Sequence, residues 1–107
     1  MNDKIEEKII GLLSFASKMG ALIYGKESLE RYLNSNHFKI LFLASDCSDN
    51  TKKMWFNKTA TTGTLLIQFQ RTTKIELAKR LGKKELSAVS TSNVDILNGI
   101  KKYVERG

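Results

Sequence analysis

The chain has 107 residues, of which 41% are hydrophobic, so it can bury one core and is too apolar to be a disordered polyelectrolyte. Its 18 Lys and Arg against 11 Asp and Glu give a net charge of +7, which favours a polyanionic partner or an anionic membrane surface. One cysteine and one histidine exclude an intrachain disulfide and a Cys/His zinc site. No apolar run approaches the ~20 residues of a membrane span, and the first residues do not resemble a signal peptide. We therefore expect a cytoplasmic protein that contacts no membrane.

Helical and strand patterns alternate along the chain. The predicted helices cover about residues 3–18, 25–34, 48–59, 73–82 and 92–104, and the predicted strands cover about residues 21–24, 40–44, 64–69 and 86–91. The apolar run from Ile40 to Ala44 is typical of a strand buried on both faces. This alternation predicts an α/β fold, a three-layer α/β/α sandwich with a mixed sheet of about four strands, in one domain over residues 1–107.

Polar residues mark the beginnings of three predicted helices. Ser48 or Asp49 can cap the third helix with a side-chain oxygen. Thr73 and Glu76 have the spacing of a capping box for the fourth helix. Ser92 can cap the last helix, so each of these elements has a defined first residue.

The positive charge is concentrated in one third of the sequence. Between Asn50 and Lys84, nine basic residues stand against a single acidic residue, Glu76. The rest of the chain has nine basic and ten acidic residues. This asymmetry predicts one basic face of the kind that binds nucleic acid, and a solvated basic surface without a partner is the alternative.

The residues that could support catalysis are few. His37 and Cys47 lie at opposite ends of a predicted strand, which is too far apart for a base and a nucleophile. Asp46 and Asp49 could bind a hard cation, but such residues more often end a strand and cap the next helix. No glycine-rich phosphate-binding motif is present. We therefore predict that the protein is not an enzyme and that it has no catalytic residue, metal site or small-molecule cofactor.

Three segments resemble one known family. They run from Gly25 to Arg31, from Leu43 to Lys53 and from Thr73 to Lys83. Together with the first helix they make the chain similar to the ribosomal protein L7Ae (kink-turn-binding) family, and within it to the bacterial YlxQ-like branch. The resemblance covers nearly the whole chain and implies both the α/β/α sandwich and binding to RNA kink-turns.

The family's recognition motif is carried over in part. In the family a glycine precedes the second helix, Asn-Glu follows after one residue, and a lysine comes three residues later. Gly25 matches that glycine and Arg31 the lysine, while Glu27 and Ser28 stand in place of Asn-Glu. Lys26 and Arg31 can donate to the O6 and N7 atoms of guanine, and Glu27 can accept. The alternative is an ordinary helix start with an ion pair between Arg31 and Glu27.

The family's second contact region is the loop between the fourth helix and the last strand. There an apolar residue packs on a base flipped out of the kink. The corresponding residues here are Lys83, Lys84, Glu85, Leu86 and Ser87. Leu86 is the apolar candidate, although it could equally begin the strand and face the core.

Basic and aromatic residues elsewhere could add RNA contacts. Trp55 and Phe56 could stack on unpaired bases, but we expect Trp55 to belong to the core. Four further residues are expected to contact phosphates without reading sequence: Lys52, Lys53, Lys79 and Arg80.

These observations predict noncatalytic binding of structured RNA, in particular kink-turns in ribosomal or regulatory RNA, by a monomer that associates with ribosomes. One alternative is a protein-interaction adaptor on the same fold, which would expose an apolar patch instead of a basic one. A second is an accessory protein for an RNA-modifying enzyme. A third, a small nucleotide-binding protein, lacks its glycine loop.

Overall fold

The structure is a computed structural model that describes residues 2–106. All nine predicted elements are present within this range. They are α1 (Asp3–Lys18), β1 (Leu22–Tyr24), α2 (Lys26–Leu33), β2 (Ile40–Leu43), α3 (Asp49–Thr62), β3 (Leu65–Gln68), α4 (Lys74–Leu81), β4 (Ala88–Thr91) and α5 (Val94–Arg106). The strands are shorter than predicted, since the apolar runs continue into the connections at their ends.

Side-chain oxygens fix the beginnings of α3 and α4 as predicted. Ser48 Oγ accepts a hydrogen bond from the Thr51 N–H at 3.1 Å. The capping box of α4 is complete, because Thr73 Oγ1 accepts from the Glu76 N–H and the Glu76 carboxylate accepts from the Thr73 N–H. These caps satisfy donors that a helix N-terminus otherwise leaves free.

The predicted cap of α5 is wrong by one residue. The Oδ1 atom of Asn93, and not the hydroxyl of Ser92, accepts from the Ile96 N–H at 2.9 Å. Asn93 also accepts through its backbone oxygen from the Leu97 N–H at 3.0 Å. Serine and asparagine are almost equally good caps, so two of them in succession leave the first residue of the helix ambiguous.

The four strands form one mixed sheet in the order β1-β4-β2-β3. The strand β4 pairs antiparallel with β1 on one side and with β2 on the other. The strands β2 and β3 are parallel, and α3 connects them. The predicted mixed sheet is therefore confirmed.

Helices cover both faces of this sheet. Ile40 and Phe42 of β2 point into a core shared with α1, α4 and α5. Leu41 and Leu43 point the opposite way, into a second core shared with α2 and α3. Because successive residues of a strand face opposite sides, this fully apolar strand separates two cores, and the predicted three-layer sandwich is confirmed.

This layering overturns the prediction of a single basic face. The basic segment from Asn50 to Lys84 includes both α3 and α4. However, α3 packs on one side of the sheet and α4 on the other. Residues that are close in sequence are thus divided between opposite surfaces of the molecule.

A buried carboxylate organises the connection from β3 to α4. Glu6, on α1, accepts hydrogen bonds from the backbone N–H groups of Gln70, Arg71 and Thr72 at 2.7, 3.2 and 3.1 Å. It also accepts from the Thr72 hydroxyl at 2.8 Å. One side chain therefore satisfies the backbone N–H groups of three consecutive residues and fixes the segment that leads into α4.

Candidate nucleic-acid interface

A groove of about 270 Å³ opens where the beginning of α2, the first half of α3 and the segment before β4 meet. It is lined by Tyr24, Gly25, Lys26, Leu29, Thr51, Met54, Trp55, Glu85, Leu86, Ser87 and Ala88. These residues come from three separate stretches of the chain. The fold thus brings both of the predicted contact regions to one place.

Gly25 determines how α2 enters this groove. Its φ of 83° is a conformation that residues with a side chain rarely adopt. A Cβ atom built on Gly25 would meet no atom within 4 Å, so the backbone angle and not space requires glycine. As glycine has no side chain to cap the helix, α2 begins without a side-chain hydrogen bond.

This uncapped N-terminus distinguishes α2 from the other four helices. Side-chain oxygens of Asn2, Ser48, Thr73 and Asn93 accept from the first turns of those helices. The first N–H groups of α2 remain available to a partner. They also carry the positive end of the helix dipole, which favours an anionic group.

Buried hydrogen bonds hold α2 against the sheet. The Tyr32 hydroxyl donates to the Ile40 carbonyl at 3.3 Å and accepts from the Ile40 N–H at 3.2 Å and from the Ser90 hydroxyl at 2.9 Å. Burial raises the pKa of Tyr32 above its usual range, although the Ser90 hydrogen bond acts in the opposite direction. On the outer side, the Lys58 ammonium contacts Glu30 at 2.6 Å and lowers the pKa of that carboxyl. The position of α2 is therefore fixed from both sides.

The beginning of the recognition motif lies at the groove. Gly25 and Lys26 line it, and Glu27 is exposed on the next position of α2. The exposed Arg31 donates to Ser28 Oγ at 3.4 Å. The alternative prediction of an ion pair between Arg31 and Glu27 is wrong, because no such pair exists among the ion pairs of residues 2–106.

Other predicted basic residues are neighbours in sequence of the groove residues. Lys52 and Lys53 are exposed and directly follow Thr51, which lines the groove. Lys83 and the exposed Lys84 belong to the segment that continues into Glu85, Leu86 and Ser87. Lys52 lines a separate hollow with Cys47 and Gln68, whereas the Lys83 ammonium reaches the groove residue Tyr24, 4.5 Å from the centre of its ring.

Lys79 and Arg80 are not part of this site. They lie on α4, in the layer on the opposite side of the sheet. The Arg80 guanidinium contacts both carboxylate oxygens of Glu7 at 2.8 and 2.9 Å. We therefore expect Lys79 and Arg80 to contribute little to binding in the groove.

Two apolar candidates belong to the core. Leu86 is only 4% exposed and packs with the α1, α4 and α5 layer. Its side chain therefore faces the core, which was the alternative interpretation of this residue. Trp55 is buried as expected, whereas Phe56, on the next position of α3, is 62% exposed. Leu86 and Trp55 therefore form the floor of the groove.

Sequence reasoning missed three groove residues that are not buried, Tyr24, Thr51 and Met54. Tyr24 is 44% exposed, and the Lys83 ammonium lies 4.5 Å from the centre of its ring. The one available sequence signal was its position as the last residue of a strand, directly before the motif glycine. Thr51 and Met54 gave no signal, since their side of α3 is revealed only by packing.

The residues considered for catalysis or cation binding are partly buried or hydrogen-bonded to neighbouring residues. Burial raises the pKa of the Cys47 thiol, with Lys52 opposing the shift in part, which disfavours the thiolate form. His37 hydrogen-bonds with Ser35 and with the backbone oxygen of Phe38. Asp46 accepts from the Lys74 N–H at 2.8 Å, which gives this carboxylate a role at the start of α4.

Residues 2–106 contain neither a metal-binding cluster nor a helix that could span a membrane. No group of three or more His, Cys, Asp or Glu side chains there could hold a metal ion. None of the described helices has the length and the apolar character needed to cross a membrane.

The sequence matches a known protein family over most of its length. The model of the ribosomal protein L7Ae/L30e/S12e/Gadd45 family matches residues 7–100. A curated relative, RNA-binding protein YlxQ from Enterococcus faecium, is 38% identical over 53 residues. This alignment covers 50% of the chain and 52% of the relative, so the chain spans about half the length of that protein.

Solved structures share the fold at low sequence identity. A Bacillus halodurans protein of unknown function superposes with a TM-score of 0.78 at 18% identity, over 92% of this chain and 97% of its own. A 15.5 kD RNA-binding protein from Giardia lamblia superposes with a TM-score of 0.74 at 13% identity, over 99% of this chain and 89% of its own. Both similarities concern the fold alone.

Proposed function

Because the chain belongs to the ribosomal protein L7Ae/L30e/S12e/Gadd45 family, we propose that it is a noncatalytic protein that binds structured RNA, with a kink-turn as its target. The name of its relative YlxQ, an RNA-binding protein, agrees with this proposal. A ribosomal or regulatory RNA in the cytoplasm is the proposed setting.

One observation carries the proposal, namely the uncapped start of α2 at a groove lined by Lys26, with further basic residues in or next to the three stretches that line it. Six of these residues form no ion pair within the described range: Lys26, Arg31, Lys52, Lys53, Lys83 and Lys84. By contrast, Arg71 and Arg80, on the other side of the sheet, pair with acidic residues of α1. The six unpaired charges of these stretches are therefore free to meet phosphate.

The parts of the groove have different tasks in this proposal. The free N–H groups of α2 and the lysines of α3 bind phosphates, which raises affinity for any RNA. Lys26 and Arg31 donate to guanine O6 and N7, and Glu27 accepts from guanine N1 and N2. Only a bent or unpaired region presents guanine edges to a helix end, because the major groove of regular duplex RNA is too narrow for side chains.

The test is a titration of the protein against a kink-turn RNA and against a straight duplex of equal length, at several salt concentrations. We expect tighter binding to the kink-turn. We also expect log K to fall linearly with log salt, by about 0.7–0.9 per neutralised phosphate. No binding to the kink-turn at low salt would contradict RNA binding, and equal affinities would contradict the proposed kink-turn specificity.

A further inference from the structure

The groove offers little apolar surface at the position that sequence reasoning assigned to Leu86. That side chain is 4% exposed and is already packed in the core, so it cannot cover the face of a base without leaving its place. Another side chain must therefore supply an apolar surface if an unpaired base enters the groove. Tyr24 lines the same groove and is 44% exposed.

The ring of Tyr24 is held by a neighbour from the other contact region. The Lys83 ammonium lies 4.5 Å from the centre of the ring, within the range of a cation–π interaction. Tyr24 ends β1 and pairs with Val89 of β4, so its backbone belongs to the sheet. A ring that is fixed in this way loses little conformational freedom when it binds a flat partner.

We propose that Tyr24 is the platform on which an unpaired nucleotide of the bound RNA stacks, with Lys83 beside it as the contact for that nucleotide's phosphate. This inference rests on the proposed RNA binding and adds the residue that receives the flipped base. Aromatic rings stack on all four bases, so Tyr24 contributes affinity and leaves the choice of base to the polar residues of α2.

Charge and position favour a nucleotide over an apolar partner at this ring. The Lys83 ammonium lies beside the ring, and Lys26 lines the same groove. The start of α2, with its free N–H groups, is one residue away at Gly25. A base on the ring therefore brings its own phosphate towards these positive groups.

Phe56 provides a matched control, because it is an exposed aromatic residue that does not line the groove. The probe is a kink-turn RNA with 2-aminopurine at the flipped-out position, whose fluorescence falls when the base stacks. The variants are Tyr24→Ala, Tyr24→Leu, Tyr24→Phe and Phe56→Ala, each checked by circular dichroism. Tyr24→Leu keeps an apolar side chain in β1 in case Tyr24→Ala fails to fold.

We expect Tyr24→Ala and Tyr24→Leu to weaken binding by roughly 5- to 150-fold and to leave the 2-aminopurine bright at saturation. Tyr24→Phe and Phe56→Ala should stay within about twofold of the wild type and quench normally, since stacking needs the ring and not the hydroxyl. With an abasic ribose at the flipped position, wild type and Tyr24→Ala should bind equally.

Two results would overturn the inference in distinguishable ways. If the wild type binds the kink-turn and Tyr24→Leu binds and quenches like it, Tyr24 is not the platform, while the proposed function stands. If the wild type binds no kink-turn at all, both the platform and the proposed function fail.

Discussion

Removal of the Tyr32 hydroxyl should loosen the attachment of α2 to the sheet. In the variant Tyr32→Phe, the buried Ile40 N–H and the buried Ser90 hydroxyl each lose a hydrogen-bond partner at 3.2 and 2.9 Å. Ser90 keeps a second bond to the Ile40 carbonyl, so the N–H of Ile40 bears most of the loss. A buried donor without a partner costs about 1–3 kcal/mol, and this is the destabilisation that we expect.

Thermal unfolding followed by circular dichroism measures this effect. Each kcal/mol should lower the midpoint by about 4–8 °C in a domain of this size. Because the pKa of Tyr32 is raised, the stability difference between wild type and Tyr32→Phe should also depend on pH in a defined direction. Above about pH 10 the unfolded chain loses this proton before the folded chain does, so the contribution of Tyr32 declines and the gap between wild type and Tyr32→Phe should narrow. A variant as stable as the wild type at pH 7 would refute this account of α2.

Three further changes have defined outcomes. Arg31→Ala should reduce the preference for kink-turn over duplex RNA by roughly 5- to 150-fold, because it removes a guanine contact. An unchanged ratio of the two dissociation constants with an intact fold would exclude that role of Arg31. Gly25→Ala should lower the free energy of unfolding in urea by about 1–2 kcal/mol, because alanine is strained at the positive φ of this position. Unchanged stability would show that glycine is not required there. Glu6→Ala should lower the free energy of unfolding by roughly 3–5 kcal/mol, because the backbone N–H groups of residues 70–72 lose their acceptor. A loss below ~1 kcal/mol would show that water replaces the carboxylate.

Local patterns in the sequence predicted the elements well, because the forces that define them are local. The capping box at Thr73 and Glu76 and the apolar run of β2 both act within a few residues. The adjacent capping residues Ser92 and Asn93 gave an ambiguous start to α5 for the same reason, since either can cap. The motif from Gly25 to Arg31 depends on one turn and one helix, so the glycine turn and the beginning of α2 followed from the pattern.

Surface properties that depend on long-range packing could not be predicted in this way. The positive segment looked continuous in sequence, but the connections through β3 place α3 and α4 on opposite sides of the sheet. Whether Leu86 or Tyr24 is exposed in the groove depends on how α2 and α3 pack over the ends of β1 and β4. No short-range pattern contains that information.

We propose that the groove at the start of α2, and not the overall positive charge, recognises RNA. Two double variants with the same loss of two positive charges test this proposal. One combines Lys26→Ala with Arg31→Ala on α2, and the other combines Lys79→Ala with Lys102→Ala on the exposed surface of α4 and α5. The measurement is the ratio of dissociation constants for kink-turn and duplex RNA at one salt concentration. We predict that the groove variant loses most of the preference and that the variant on α4 and α5 keeps it. Equal loss in both variants, or none in either, would show that the groove is not the recognition site.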